Sequence, residues 1–418
     1  MHDNLRRNSS LLISSQAINA GAGFIFWLVC ARLFTTNNVG LAVSLISFST
    51  LISTFTNLGL PMTIIRFLPT SKRRGGLFSA SLSLVVTSSL VGSIIAIFLT
   101  RGIFPKLAYI HSSPTLSLIL ILLVTGTALG AVLDGTLMSF RKGKYILHKA
   151  ILTNLPRIIL PFLVVAYGVS GITSVYVLTL GVGVAYNIRI IFRKLLKSGE
   201  FRPTLAEVSK HRSYAAGNYF GGMFGVLPGT LVPIIVLSIL GATSAAYFYM
   251  PMMIAAFLSV ICGSVSQALI AECSQTDDIV IHRSYLRKAL RHQYQLLVPV
   301  VLLLLIVGWP ILRVFGQAYA AKGYPLLVIL LVSSLIVGIN WLGDTWLNIN
   351  KRSRDFFLMN TFNSLAIVGF VYIVAPRGLV AVGLAWLAGQ VISAIVYIMI
   401  FARNQLFLLS SYSKQIKS

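Results

Sequence analysis

Acidic residues are nearly missing from this chain. Nine Asp and Glu stand against 34 Lys and Arg in 418 residues. Charged residues of either sign reach only 10%, against about a quarter in soluble domains. The three cysteines, Cys30, Cys262 and Cys273, fall singly in apolar stretches, so neither a disulfide framework nor a Cys/His metal cluster is expected. There is no G-x-x-x-x-G-K-[ST], hence no ATP-binding cassette of the chain's own, and no H-E-x-x-H. Long loops on the side poor in basic residues are missing too. The longest, Gly102–Pro114, carries Lys106 and His111 but no acid. A membrane glycosyltransferase, polymerase or ligase would place an acidic or His-bearing active site in such a loop. The chain is therefore expected not to be an enzyme and to use neither cofactor nor metal. No filter-like repeat or pore loop points to a channel.

What is present is apolar. Hydrophobic residues make up 56% of the chain, with a mean hydropathy of +0.86. Too little polar residue remains to cover a soluble surface, and a bilayer removes that need. A spanning helix takes about 20 mostly apolar residues. Six such stretches run near Ser10–Phe34, Val39–Phe67, Leu77–Thr100, Thr115–Phe140, Ile146–Tyr167 and Thr173–Phe192. Six more run near Tyr214–Leu240, Thr243–Cys273, Gln295–Val314, Tyr324–Asn350, Phe356–Val374 and Leu379–Phe401. The fold class is an all-α polytopic membrane protein of about twelve transmembrane helices. The longer stretches must tilt, kink or protrude, and Pro61, Pro228, Pro233, Pro251 and Pro299 offer breaks. Met1–Ser9 is polar and the first apolar stretch is too long for a signal peptide, so the first helix is expected to be retained.

A net charge of +25 first points to nucleic acid or an anionic partner, but position decides otherwise. One side holds Arg6 and Arg7; Arg66, Lys72, Arg73 and Arg74; Arg141, Lys142, Lys144 and Lys149; and the basic residues of 189–212. It also holds Arg283, Arg287, Lys288 and Arg291; Lys351, Arg352 and Arg354; and Arg403, Lys414 and Lys417. These are 27 of the 34; Arg32, Arg101, Lys106, Arg313, Lys322 and Arg377 lie opposite, and Arg157 lies within a helix. This positive-inside pattern predicts cytoplasmic N- and C-termini in the inner membrane of a prokaryote, with the lipid bilayer rather than nucleic acid as partner.

The longest connection divides the chain into 1–192, a cytoplasmic connection 193–213, and 214–418 with a short tail. A repeat supports two parallel sets of six. Leu133-Asp134-Gly135-Thr136-Leu137 precedes Arg141-Lys142 at the end of the fourth helix. Gly343-Asp344-Thr345-Trp346-Leu347 precedes Lys351-Arg352 at the end of the tenth.

Polar residues inside the spans are the functional candidates. A charge at the bilayer centre costs about 2.5–3.5 kcal/mol on insertion scales and faces a cavity or a partner. Arg157 lies roughly 16 Å into the fifth helix at 1.5 Å per residue, after Pro156 and one turn past Asn154. Two readings stand side by side: a cation lining an aqueous cavity and meeting a phosphate or acidic sugar, or a structural ion pair, for which Asp134 is the nearest acid. Asp134 and Asp344 pair with the basic cluster beyond their helix ends, or serve as a proton or cation site or a gate. Asn340, Asp344 and Asn348 recur every four residues and share one face. Further cavity candidates are Gln16, Asn19 and Arg32 on the first helix, Asn218 and Tyr219 on the seventh, and Gln267 on the eighth. Helix–helix hydrogen bonding accounts for them as well. Arg66, at the end of the second helix, is a cavity candidate or an interface anchor.

Ala31-Arg32-Leu33-Phe34, Val39-Gly40-Leu41-Ala42, Asn57-Leu58-Gly59-Leu60-Pro61 and Arg66-Phe67 resemble the first two helices of polysaccharide-type flippases. Arg141-Lys142-Gly143-Lys144-Tyr145 and Ala245-Ala246-Tyr247-Phe248 resemble the same family. It belongs to the multidrug/oligosaccharidyl-lipid/polysaccharide (MOP) exporter superfamily. The resemblance implies two six-helix lobes in a MATE-like V around a central cavity, and alternating access driven by an H+ or Na+ gradient or by membrane potential. It implies a lipid-linked oligosaccharide substrate on a polyprenyl-(pyro)phosphate carrier. The chain itself is expected to be monomeric. Two departures matter. Lipid II flippases of similar fold have fourteen helices and arginines in helices 1, 2 and 8, whereas the eighth helix here has none. Multidrug exporters of the superfamily put acids in the lobe cavities, and here helices 1, 2 and 7 have none. An ion-coupled multidrug exporter is the alternative.

Overall fold

A computed structural model of the chain describes residues 2–102, 104–195, 203–273, 278–350 and 352–415, without the side chains of 2–9, 213–214, 216–218, 221, 279 and 402–415. Among the described residues every regular element is helical. That is the expected outcome in hydrocarbon, where a helix satisfies each backbone N–H and C=O within its own segment.

Twelve helices are long and apolar enough to cross a membrane. They are α1 (Ser10–Leu33), α2 (Thr36–Thr56), α3 (Arg74–Gly102), α4 (Pro114–Ser139), α5 (Gly143–Leu163) and α6 (Val165–Lys194). They continue as α7 (Gly222–Leu240), α8 (Ala242–Cys273), α9 (Val280–Phe315), α10 (Gln317–Ile349), α11 (Ser353–Arg377) and α12 (Leu379–Phe401). The serines and threonines of the spans mostly donate to carbonyls three or four residues back, as Ser44 does to Gly40, Thr50 to Ile46 and Thr136 to Val132. A hydroxyl satisfied on its own helix can face lipid or a packed neighbour at little cost.

Two expected helices are broken. The stretch Val39–Phe67 is two helices, because Asn57, Leu58 and Gly59 form a turn in which Leu58 and Gly59 take φ of 53° and 68°. A short helix, Leu60–Phe67, then starts with Pro61 in its first turn, where the missing N–H costs nothing. In α8 the break falls at Phe257, between Ala242–Ala256 and Leu258–Cys273, while Pro251 stays inside a helix. The ninth helix begins earlier than its apolar stretch, at Ile279.

The chain forms two compact units: Met1–Tyr249 with Val314–Gly316, and Met250–Arg313 with Gln317–Ser418. In the first, α1 lies along α5, α4 along α3 and α6, and α2 along α4 and α7. Glycine lets α2 approach the start of α8: a Cβ on Gly40 would sit 1.7 Å from the Ala242 carbonyl oxygen. In the second, α10 and α11 lie along α12, and Leu258–Cys273 lies along α10.

The internal repeat extends to the hydrogen bonds. Asp134 on α4 accepts from α5 fifteen residues on and from α6 53 residues on. Asp344 on α10 accepts from α11 sixteen residues on and from α12 53 residues on. Both helices end alike: Lys142 N–H donates to Leu137 C=O and Arg352 N–H to Leu347 C=O, each at 2.9 Å. The five-residue reach is that of a Schellman closure, and Arg141 takes the left-handed position with φ of 55°. The partners differ, however: a lysine and an asparagine in the first unit, an asparagine and a tyrosine in the second.

Candidate functional site

The first unit holds a half-open polar cavity of about 240 Å³ among α1, α4, α5 and α6. Its wall is built from positions four apart, which share a helix face. Gly130 comes from α4, one turn before Asp134; Lys149, Thr153 and Arg157 come from α5; Thr179, Gly183 and Asn187 come from α6; Asn19 comes from α1. Glycine keeps the space open. A Cβ on Gly183 would stand 3.1 Å from Thr153 Cγ2 and 3.5 Å from Lys149 Cδ.

At one end Lys149 Nζ donates to Asp134 Oδ1 at 2.6 Å, and Asn187 Nδ2 donates to the same oxygen at 2.8 Å. The pair is partly buried, with 18% and 27% side-chain exposure. Arg157 sits two turns along α5, about 12 Å away at 1.5 Å per residue. Its Nε and Nη2 both donate to Thr179 Oγ1 at 3.3 Å, and its guanidinium lies 4.4 Å from the Tyr176 ring centre. Tyr176 stacks edge-on against Phe26 at 5.2 Å, in a cluster with Trp27 and Tyr249. Among the described residues no carboxylate lies within ion-pair distance of Arg157. Thus Lys149 is neutralised by Asp134, and the cavity's uncompensated charge is Arg157, held by a hydroxyl and a π face.

Asn154 faces α1 rather than the cavity. Its Nδ2 donates to Asn19 Oδ1 at 2.6 Å and to Ala150 C=O at 2.7 Å. Asn19 thereby joins α1 to α5 and also lines the cavity. Gln16, one turn before it, is exposed and off the lining.

The other candidates lie elsewhere. Arg32 donates from Nε to the Val314 carbonyl at 2.6 Å, at the end of α1 remote from Asp134. Arg66 ends the short helix with its guanidinium 5.5 Å from the Phe67 ring centre. Tyr219 donates its hydroxyl to Phe55 C=O at 2.9 Å, tying the helix Arg212–Leu240 to α2. The Asn218 side chain is outside the described residues. Gln267 is exposed on α8. In the second unit, Asp344 accepts from Asn360 Nδ2 at 2.8 Å and from the Tyr397 hydroxyl. Asn340 donates from Nδ2 to Gln390 Oε1 at 2.6 Å and leaves its own buried Oδ1 without a partner. Asn348, the third member of that stripe, is exposed.

Sequence reasoning missed Lys149, Tyr176, Thr179 and Asn187. A signal was there: Lys149, Thr153 and Arg157 repeat every four residues, as do Thr179, Gly183 and Asn187. Lys149 was hidden by its place among the basic residues of the helix ends.

The fold is that of MOP-superfamily transporters. An inward-facing multidrug resistance MATE family transporter of that superfamily superposes with a TM-score of 0.73, at 14% identity over 96% of this chain and 99% of the other. An outward-facing multidrug resistance MATE family transporter of the superfamily gives a TM-score of 0.66, at 14% identity over 97% and 96%. A MOP-superfamily transporter from Pyrococcus furiosus, reported with a binding pocket of reverse polarity that suggests a different function, also gives 0.66, at 13% identity over 97% and 96%. No curated protein sequence matches. Residues 5–275 match the polysaccharide biosynthesis protein family, and the chain belongs to that family.

Proposed function

We propose that the chain is a secondary-type flippase, carrying a polyprenyl-(pyro)phosphate-linked oligosaccharide across the cytoplasmic membrane by alternating access for surface polysaccharide or glycan assembly. The observation that carries this reading is Arg157. A guanidinium held beside a polar cavity, with a hydroxyl and an aromatic ring as partners and no carboxylate among the described residues, is suited to a phosphate or acidic sugar. The neighbouring Lys149 is committed to Asp134 and supplies a second cation only if that pair opens.

The positive-inside rule assigns the basic helix ends and both termini to the cytoplasm, in a prokaryotic inner membrane. The two sets of six helices, 1–192 and 214–418, are the proposed moving halves of a monomer. Coupling to H+ or Na+ is assigned to Asp344. Its two donors, Asn360 and Tyr397, are neutral, so the carboxylate can change charge without breaking an ion pair. Asp134 is held by Lys149 and is assigned to the structure of the cavity.

The competing reading is an ion-coupled multidrug exporter, which the fold accommodates equally. A cationic drug would meet Arg157 with no free acid beside it. The test is Arg157→Ala, with Arg157→Lys as the charge-retaining control, in a strain whose surface glycan depends on the chain. The Ala variant should stay in the membrane and lose surface glycan by about tenfold or more, the loss expected of a charged hydrogen bond; Lys should retain part. Unchanged glycan with Ala, or resistance to cationic dyes on overexpression of the native chain, would count against the flippase.

A further inference from the structure

A groove in the second unit lies far along the chain from the cavity described above. Its volume is about 490 Å³ and it is formed by the start of α9, the end of α10 and the end of α12. Arg283 and Arg287, one turn apart on α9, point to it together with Leu286 and Leu290. Trp346 and Phe401 form the opposite side, edge to face with centroids 5.9 Å apart. Behind it, Leu286 and Tyr285 pack on Val265, Leu269 and Leu342, which gives the groove a firm apolar back.

Helix length sets its depth in the bilayer. The 36 residues of α9 span about 54 Å, whereas the hydrocarbon core is about 30 Å thick. A surplus of about four turns is left to tilt or projection, and the basic residues of α9 up to Arg291 all fall in its first four turns. That places the arginines among headgroups while Leu286, Leu290, Trp346 and Phe401 reach toward the acyl region.

We infer that this groove binds one anionic phospholipid of the leaflet at the basic helix ends, its phosphodiester between Arg283 and Arg287 and an acyl chain along Leu290, Trp346 and Phe401. Charge complementarity selects the class, because the described residues of the lining include two arginines and no acid. The lining also argues against a lipid-linked oligosaccharide here. Apart from Ser284 and the Trp346 indole N–H, its described residues offer no neutral hydrogen-bonding side chain, and a sugar needs several. The phospholipid would fasten α9 to α10 and α12, and so the ends of three helices to one another. Only the identity of that leaflet as cytoplasmic depends on the orientation proposed above. The site itself does not depend on what the cavity transports.

The test is native mass spectrometry of the full chain, released from detergent containing equal phosphatidylglycerol and phosphatidylcholine. The native protein should retain a phosphatidylglycerol adduct. R283Q/R287Q should weaken that adduct by about thirty-fold, the product of the five- to six-fold expected per basic residue near a surface. K142Q/K144Q, which removes the same charge from another helix end, should leave it unchanged. Glycerophosphoglycerol, which has the headgroup without chains, should not displace it. An unweakened adduct in R283Q/R287Q, displacement by the soluble headgroup, or replacement by polyprenyl phosphate in equal mixture would each overturn the inference. A second measurement needs no variant. A phosphatidylglycerol carrying a photoreactive acyl chain should label the peptides holding Leu286–Leu290 and Trp346; labelling confined to other peptides would overturn it as well.

Discussion

Arg157 and Lys149 share one face of α5, yet among the described residues only Lys149 has a carboxylate in reach. That difference makes their substitutions separable. Lys149→Met strands Asp134 with Asn187 as its remaining donor, so the protein should melt at a lower temperature in detergent. Adding Asp134→Asn should restore much of the loss. The double-mutant cycle should give a coupling of about 0.5–3 kcal/mol, at the modest end because both side chains are partly exposed. Strictly additive effects would show that the pair contributes nothing. Arg157 was legible in the sequence because a charge deep in an apolar run stands out. Its partners were not. Whether an intramembrane arginine meets Asp134 or Thr179 depends on the relative rotation of α4, α5 and α6, which hydropathy does not encode. The same limit applies to Arg32 and Tyr219, read as cavity candidates and found donating to backbone carbonyls of other helices.

Helices were legible as lengths of apolar chain, and their interruptions were not. Pro61 and Pro251 were both readable as breaks. The first follows a break made by Leu58 and Gly59, and the second lies within a continuous helix. What distinguishes them is backbone conformation and close approach. A Cβ on Gly59 would meet the Ala215 carbonyl oxygen at 2.2 Å, in a left-handed residue, where a side chain is strained as well as crowded. Gly59→Ala should therefore lower the melting temperature clearly, while Gly229→Ala, with nothing within 4 Å of its built Cβ, should leave it unchanged or raise it. Equal melting temperatures would contradict the turn at 57–59. Gly343 tests the second unit in the same manner. Its added Cβ would lie 2.5–2.8 Å from the Tyr397 ring, so Gly343→Ala should displace the hydroxyl from Asp344. It should then reproduce the transport defect of Asp344→Asn, with the dependence on an imposed ion gradient lost in both.

For the whole molecule, composition and charge position carried most of what could be known early. Scarce acids, 56% hydrophobic residues and basic clusters at alternate loops define a twelve-helix membrane protein without reference to any contact. The repeat around Asp134 and Asp344 was also visible. Its extension to matched partners on the following helices was not, since Lys149 and Asn360 share no residue type. The proposed orientation predicts that alkaline phosphatase fused after Phe401 is inactive, and that the same reporter fused in the Gly102–Pro114 loop is active; the reverse would invert the topology. Translocation itself bears most directly on the proposed function. Proteoliposomes holding the purified chain and a fluorescent polyprenyl-pyrophosphate oligosaccharide, with an impermeant quencher outside, report movement between leaflets under an imposed H+ or Na+ gradient. The native chain should move the labelled lipid. Arg157→Ala should slow it by about tenfold or more, and the native chain should leave a cationic dye where it was loaded. Equal rates for the native chain and Arg157→Ala, or movement of the dye but not of the lipid, would contradict a flippase that uses Arg157 to hold its substrate.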